Sequence, residues 1–377
     1  MKGSVSDLPG IAEDLRCPLA EGVTPRGSRP IKLDANELPF DLPPGPKAEL
    51  VKAALEISYN RYPDPEAWSL RTKLAERWGV SPQGVLVGNG GDEVLQMLFL
   101  AFVAPGDLVL IPNPSFSMFE RYALAFRAKL VKVDFSYPQL ELKVEHLLEG
   151  IERHRPRLVI LDNPNNPTGQ VVDEEGLREA ASLCAEKGSV LVVDEAYGEF
   201  YGKSAIALVK EGFENVAVVR TFSKAWGLAA LRVGYLLAQK PICEAVKGVK
   251  QPFNVNAFSQ RAAEIMLRYG QWLESRVMSI VYLRDRIVNA INSNLTLFRA
   301  RRSQANFVLV ETPLGEEAIL RKAEEKDIKL KVLKNPFADG CWIRLTVGLE
   351  EEMEAFVSLC EELERDNSAR REHLMLA

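Results

Sequence analysis

Histidine is scarce, at three among 377 residues, and the three are scattered. That leaves no ligand spacing of the kind a structural or catalytic metal needs. The five cysteines, Cys17, Cys184, Cys243, Cys341 and Cys360, contain no Cys-x-x-Cys pair, and an odd number cannot form a closed disulfide frame. They read as buried thiols in a reducing compartment. Long apolar runs are missing too: the longest, Val94 to Ala104, is interrupted by Gln96 and falls short of the ~20 residues of a membrane span. The opening "MKGSVSDLPGIAEDL" carries acids and no apolar stretch, so no secretion signal is expected there, and the expected location is cytoplasmic. Nor does one sign of charge dominate. Lysine plus arginine is 47 against 52 for aspartate plus glutamate, a net charge of −5. Such a balance gives no general attraction for nucleic acid or an anionic membrane, so any anion site has to be built locally.

What the chain does have is a 47% hydrophobic content, enough for one large domain and a smaller one. Residues 1–47 are rich in proline and glycine and read as an extended arm. From 48 onward "AELVKAALEIS" and "SLRTKLAERWG" have helical periodicity, the second closed by Gly79. Short apolar runs then alternate with helical segments predicted from Asp92, near 116–127, near 143–154 and at 173–187. The runs are "GVLVG", "LVLIP", "AKLVKVDF", "RLVIL", "SVLVV" and "VAVV". Runs this short, apolar on both faces and separated by helices, indicate a mostly parallel sheet in an α/β fold. The pattern predicts one long helical stretch over 256–294. After it come "QANFVLVE", a helix near 315–326, "KLKVL", "CWIRLTVG" and a last helix from 350, which read as a second, smaller α/β domain. The expected division is 1–47, 48–285 and 286–377.

Ligands of open parallel sheets bind beyond the carboxyl ends of the strands. Three apolar runs finish there in polar clusters: Asp162 to Gly169 ("DNPNNPTG"), Asp194 to Tyr197 ("DEAY") and Arg220 to Lys224 ("RTFSK"). Any one would pass as turn chemistry. Together they supply an amide, a carboxylate, a phenol and an amine. A fourth element, "VLVGNGGDE", places Gly88, Gly90 and Gly91 between a strand and a helix whose first turn holds Asp92, itself an N-cap candidate. Free backbone N–H groups at such a start bind anions. A reactive lysine needs an aldehyde partner, and pyridoxal 5′-phosphate supplies one along with a phosphate and a ring nitrogen that needs a carboxylate. The inventory fits this cofactor. Lys224 is the amine, Asp194 the carboxylate, and Tyr197 and Asn166 flank the ring oxygen. Thr221, Ser223, Arg232 and the Gly90–Gly91–Asp92 turn form the phosphate cup.

At these residues the chain resembles the fold-type I pyridoxal-phosphate aminotransferases, and within them the histidinol-phosphate aminotransferase family. The matching stretches run in family order from residue 33 to 348: "LDANELPF", "NRYPDP", "GNGGDE", "PNNPTG", "VDEAYGEF", "RTFSKAWGLAALRVGY", "PFNVN", "QANFVLV" and "IRLTVG". The resemblance implies a homodimer, with the arm packed on the small domain and the partner. It also implies that Tyr62 reaches the partner's cofactor phosphate and that Phe116 stacks on the ring. Arg344 is then the clamp for the substrate carboxylate, and Asn36 lies in the segment that closes over the substrate. Lys331 stands where an arginine usually holds the substrate phosphate, and the arm reads "ELPF" where "ENPY" is commoner. The implied reaction moves the amino group of L-histidinol phosphate to 2-oxoglutarate. Aromatic amino-acid transamination or threonine-phosphate decarboxylation on the same scaffold are the neighbouring alternatives. A non-catalytic ligand-binding module is a more distant one, disfavoured because such a module needs no α-proton base.

Overall fold

The computed structural model describes residues 30–333, 337 and 340–376, with side chains described as far as 369. Among the described residues twelve strands form two sheets: β1 (Ile31–Leu33), β2 (Val85–Gly88), β3 (Leu108–Asn113), β4 (Lys129–Asp134), β5 (Leu158–Asp162), β6 (Val190–Asp194), β7 (Val216–Thr221), β8 (Gly234–Ala238), β9 (Arg299–Ala300), β10 (Phe307–Thr312), β11 (Ile328–Leu333) and β12 (Cys341–Thr346). The larger sheet has the order β2-β8-β7-β6-β5-β3-β4, and the smaller β1-β11-β12-β10-β9. This is the α/β arrangement expected from the sequence, with a parallel-rich sheet between helices and a second, smaller sheet.

Burial follows from the alternation of side chains along each strand. In β5 to β7, Val159, Leu161, Leu191, Val193, Val216 and Val218 enter one core cluster. Their neighbours Leu158, Ile160, Val192, Ala217 and Val219 enter another. Helices cover both faces: Leu147, Ile151, Leu177 and Ala180 on the first side, Val94, Leu98, Ile242 and Val246 on the second. With both faces covered, the strands carry continuous apolar runs rather than an alternating pattern.

Several expectations are refined. The last residues of the stretch expected to be extended are helical, since a helix starts at Pro44 and runs to Glu56. Prolines at its first positions have the helical φ already set. Within the same arm, β1 joins the smaller sheet by parallel pairing of Ile31–Leu33 with Ile328–Leu330. Residues 1–29 of the arm, Cys17 among them, lie outside the described residues. The single stretch over 256–294 is two helices, Ala257–Met266 and Gly270–Asn294. Between them Arg268 and Tyr269 bond back only three residues, to Ile265 and Met266. Tyr269 then leaves helical geometry (φ −100°, ψ 42°) with its hydroxyl held by Glu49. The larger sheet also contains a strand with no place in the parallel pattern: β8 runs antiparallel to both β7 and β2. No helix among the described residues is long and apolar enough to cross a membrane.

The first residue of β8 shows why that strand fits. A Cβ on Gly234 would lie 2.3 Å from the carbonyl carbon of Gly90 and 2.4 Å from the nitrogen of Gly91, both backbone atoms that cannot turn aside. The Gly234→Ala change should therefore destabilise the protein by about 1–3 kcal/mol and weaken whatever the Gly90–Gly91 turn binds. A urea midpoint equal to that of the parent would contradict this contact.

Candidate active site

The carboxyl ends of β2, β5, β6 and β7 are brought level by pairing register. Asp162 lies opposite Asp194, Asp194 opposite Val219, and Thr221 and Gly88 both opposite Gly234. The turns leaving these ends surround one pocket. Gly91, Asp92, Phe116 and Asn166 are among its lining residues, as are Asp194, Tyr197, Thr221, Ser223, Lys224 and Arg232. Residues separated by more than 130 positions in the chain thus meet in one place.

One end of the pocket is made for an anion. The helix Gly91–Phe102 starts at Gly90, which takes the N-cap position without a capping side chain. Asp92 is therefore in the first turn and not the N-cap. The N–H groups of this first turn have no intrahelical partner and point outward with the positive end of the helix dipole. Gly90 has φ +85°, and a Cβ there would strike the Arg232 guanidinium at 2.6 Å. Across from it, Thr221 Oγ1 donates to Ser223 Oγ at 3.0 Å, and Arg232 donates to Ser223 Oγ at 3.3 Å and to Asp92 Oδ2 at 2.9 Å. Two hydroxyls, a guanidinium and a helix start converge.

At the other end sit acids and a phenol. Asp194 is buried, and the backbone N–H of Ala196 donates to its Oδ1 at 3.0 Å. Burial raises its proton affinity, and the Asp162 carboxylate beside it adds to that. Asp162 is raised as well, by burial opposed by hydrogen bonds from Asn166, Asn165 and Phe116. A buried carboxylate of this basicity pairs strongly with a cationic N–H. The Tyr197 hydroxyl accepts from Asn36 Nδ2 at 2.9 Å. Burial pushes that phenol up, against the pull of Arg344 and Asn36. Asn36 itself is buried at φ +53°, its N–H donating to Thr346 Oγ1 and its carbonyl accepting from Asn306 Nδ2.

Between the two ends lies Lys224. Its side chain is part-exposed, its Nζ donates to the carbonyl of Ala35 at 2.9 Å and stands 5.7 Å from the centre of the Tyr197 ring. Loss of hydration, with the cations Arg344 and Arg232 nearby, brings its pKa down to about 8, against the smaller opposing pull of Glu37 and Asp92. A substantial neutral fraction near neutrality is what a nucleophilic or basic amine requires.

Arg344 in β12 reaches toward this group. Its Nη1 donates to Asn166 Oδ1 at 2.8 Å and its Nη2 to the Asp34 carbonyl at 2.6 Å, while Nε is buried without a partner. Lys331 lies directly opposite Arg344 on the adjacent strand β11, on the same face, but is exposed and does not line the pocket. Tyr62 also stands apart from the pocket of its own chain. It is 80% exposed and stacks on Phe253 with ring centroids 4.5 Å apart. Asp162 and Arg220 line the pocket although the sequence reading gave neither a role. Arg220 is fully enclosed, pairing with Glu195 at 2.7 Å and Glu199 at 3.1 Å. The signal for Asp162 was its position as the last residue of a buried strand. For Arg220 it was an arginine in a valine run.

The sequence pattern described as Aminotransferase class I and II matches residues 28–358. Histidinol-phosphate aminotransferase of Caldanaerobacter subterraneus is 37% identical, over 88% of this chain and 92% of its own. Histidinol-phosphate aminotransferase 1 of Carboxydothermus hydrogenoformans is 39% identical, over 85% and 89%. Among solved structures, histidinol-phosphate aminotransferase from Sinorhizobium meliloti, in complex with pyridoxal-5′-phosphate, superposes with a TM-score of 0.80 at 26% identity, covering 89% of this chain and 91% of that one. The chain belongs to the class I and II aminotransferases. It is accordingly a pyridoxal-phosphate-dependent transferase of amino groups, and the pocket has the partners such a cofactor requires: donors from an uncapped helix start, paired hydroxyls and a guanidinium, and a buried carboxylate as acceptor.

The depressed Lys224 pKa gives a signed expectation. Only the neutral amine attacks an aldehyde, so in cofactor-free protein the rate of reaction with pyridoxal 5′-phosphate should rise with pH up to about 8 and then level off. Stopped-flow absorbance would follow it. A rate still climbing toward the ordinary lysine range would show that burial does not tune this amine.

Proposed function

We propose that the enzyme is a histidinol-phosphate aminotransferase, moving the amino group of L-histidinol phosphate to 2-oxoglutarate to give imidazole acetol phosphate and L-glutamate. What carries the reading is the meeting of Lys224, Asp194 and the Thr221–Ser223–Arg232 cup in one pocket, in a chain 37% identical to a histidinol-phosphate aminotransferase over 88% of its length. When bound, the cofactor would supply a protonated ring able to accept the electron pair left as the substrate's Cα–H bond breaks. The rest falls to side chains. Asp194 would hold the proton on the ring nitrogen, and Tyr197, fixed by Asn36, would bond the ring oxygen together with Asn166. Phe116 would form the aromatic wall beside the ring. Thr221, Ser223, Arg232 and the Gly90–Gly91–Asp92 backbone would hold the phosphate. Lys224 would carry the cofactor at rest and, once freed, its Nζ would take the substrate α-proton as a base and give it up again as an acid.

Arg344 presents a planar two-donor fork that suits the α-carboxylate of the glutamate and 2-oxoglutarate half-reaction. Lys331, one strand away, serves the substrate phosphate as a point charge. Residues 48–285 form the large cofactor domain and 286–377 the small one, with the arm closing over the substrate from Asn36. The enzyme works in the cytoplasm as a homodimer, in which Tyr62 of each subunit reaches the cofactor phosphate of the other. The exposure of Tyr62 away from its own pocket supports that placement, as do the exposed Val51, Leu55 and Tyr59 nearby in sequence.

A substrate panel tests the assignment. Turnover of L-histidinol phosphate should exceed that of phenylalanine, and Lys331→Ala should raise KM for the phosphorylated amine while sparing kcat. Equal or better turnover of phenylalanine would replace this reading with an aromatic aminotransferase, and carbon dioxide released from threonine phosphate would replace it with a decarboxylase. The Lys224→Ala variant should stay folded by circular dichroism and lose transamination. In Asp194→Ala, kcat should fall by about 10²-fold or more, as expected when a group stabilising developing charge is lost, with some cofactor still bound.

A further inference from the structure

Asp162 closes β5 directly opposite Asp194, and its side chain is 6% exposed. Its two oxygens are engaged by three donors from two separate segments. Oδ2 accepts from the backbone N–H of Phe116 at 3.1 Å and from that of Asn166 at 2.9 Å; Oδ1 accepts from Asn165 Nδ2 at 2.8 Å. Asn165 Nδ2 has a second acceptor, the Pro114 carbonyl at 3.1 Å, and Asn165 Oδ1 takes the N–H and hydroxyl of Thr168. One carboxylate thus ties the chain segment after β3 to the turn after β5.

The two tethered residues stand in the pocket on different errands. Phe116 supplies the aromatic wall, and Asn166 gives its side-chain oxygen to Arg344 at 2.8 Å. Without the carboxylate, the buried Asn166 N–H and the part-buried Phe116 N–H would lose their acceptor, and the segment at 114–116 would keep the Asn165–Pro114 bond across to the β5 turn. We propose that Asp162 is a positioning residue of the transamination site, setting the Phe116 ring and the Asn166 amide at the spacing that admits the cofactor between them. This rests on the cofactor reading above. The action runs through hydrogen-bond acceptance, so asparagine, whose one oxygen can face both backbone N–H groups, substitutes for it. Its –NH2 then faces Asn165 Nδ2, which keeps its bond to Pro114.

The test measures pyridoxal 5′-phosphate binding to cofactor-free protein by visible absorbance, together with the induced circular dichroism of the bound cofactor, a signature of how its ring is held. D162A should weaken binding by on the order of tenfold or more, as loss of buried hydrogen bonds implies, and change the dichroic band. D162N should bind within about threefold of the parent with the parent's band. The double variant F116A/D162A should be little worse than either single one, because both changes act on one wall. If D162A does not fold, D162S, with a shorter acceptor, should move in the same direction. Unchanged affinity and dichroism in D162A or D162S would overturn the inference. So would D162N behaving like D162A, since charge and not acceptance would then be at work. A parent protein that binds no pyridoxal 5′-phosphate would instead overturn the cofactor reading itself.

Discussion

Arg220 is a charge sealed inside the sheet, and its pairing governs how the two reactive strands sit together. It projects from β7 to Glu195, which follows Asp194 on the neighbouring strand, and to Glu199, in the short helix Gly198–Tyr201 after Tyr197. Its guanidinium also lies 4.4 Å from the centre of the Trp78 ring. Burial opposes its charge, yet the two glutamates more than offset this and raise its pKa. Removing one member would leave the others charged and dry, which costs about 3–5 kcal/mol. The cluster also makes the spacing between β6 and β7 discrete at their carboxyl ends. Asp194 and Tyr197 belong to one side of the clamp, and Thr221, Ser223 and Lys224 follow directly on the other.

Around that clamp the protein solves an electrostatic problem its overall composition does not favour. With a net charge of −5 it must still hold a phosphate. The groups its pocket offers have a positive character that is local: an uncapped helix start, two hydroxyls and Arg232. Asp92 faces the same arginine at 2.9 Å, and both side chains are nearly half exposed. At the far end the polarity is reversed, with two carboxylates packed side by side in register. A ligand with an anion at one end and a basic ring nitrogen at the other is oriented by this gradient before any covalent bond forms.

How much of this was legible in the sequence depended on range. Lys224, Asp194, Tyr197 and the glycine turn could be read because each closes an apolar run, and runs buried on both faces mark themselves. Phe116 could be placed against the ring only through the family resemblance, because its own surroundings in the chain are those of a helix start. Asn36 was given its place, in the segment that closes over the substrate, by the resemblance alone; its bonds to Tyr197 and Thr346 span 161 and 310 positions. Nothing local announces a contact at that separation. The antiparallel β8 was hidden for a related reason. Its residues are as apolar as those of its parallel neighbours, and direction leaves no mark on composition when both faces are covered. The break at 267–269 likewise depends on the contact between Tyr269 and the distant Glu49.

The bonds made by Arg344 carry one more consequence. Each of its terminal nitrogens already donates once, one to an amide oxygen and one to a backbone carbonyl, while Nε is buried without a partner. A guanidinium held on two sides has its plane set before any guest arrives. The Nε–H left over still lacks an acceptor, so an incoming oxygen can be taken without first breaking the bonds that aim the group. Orientation and an unused donor thus sit on the same side chain.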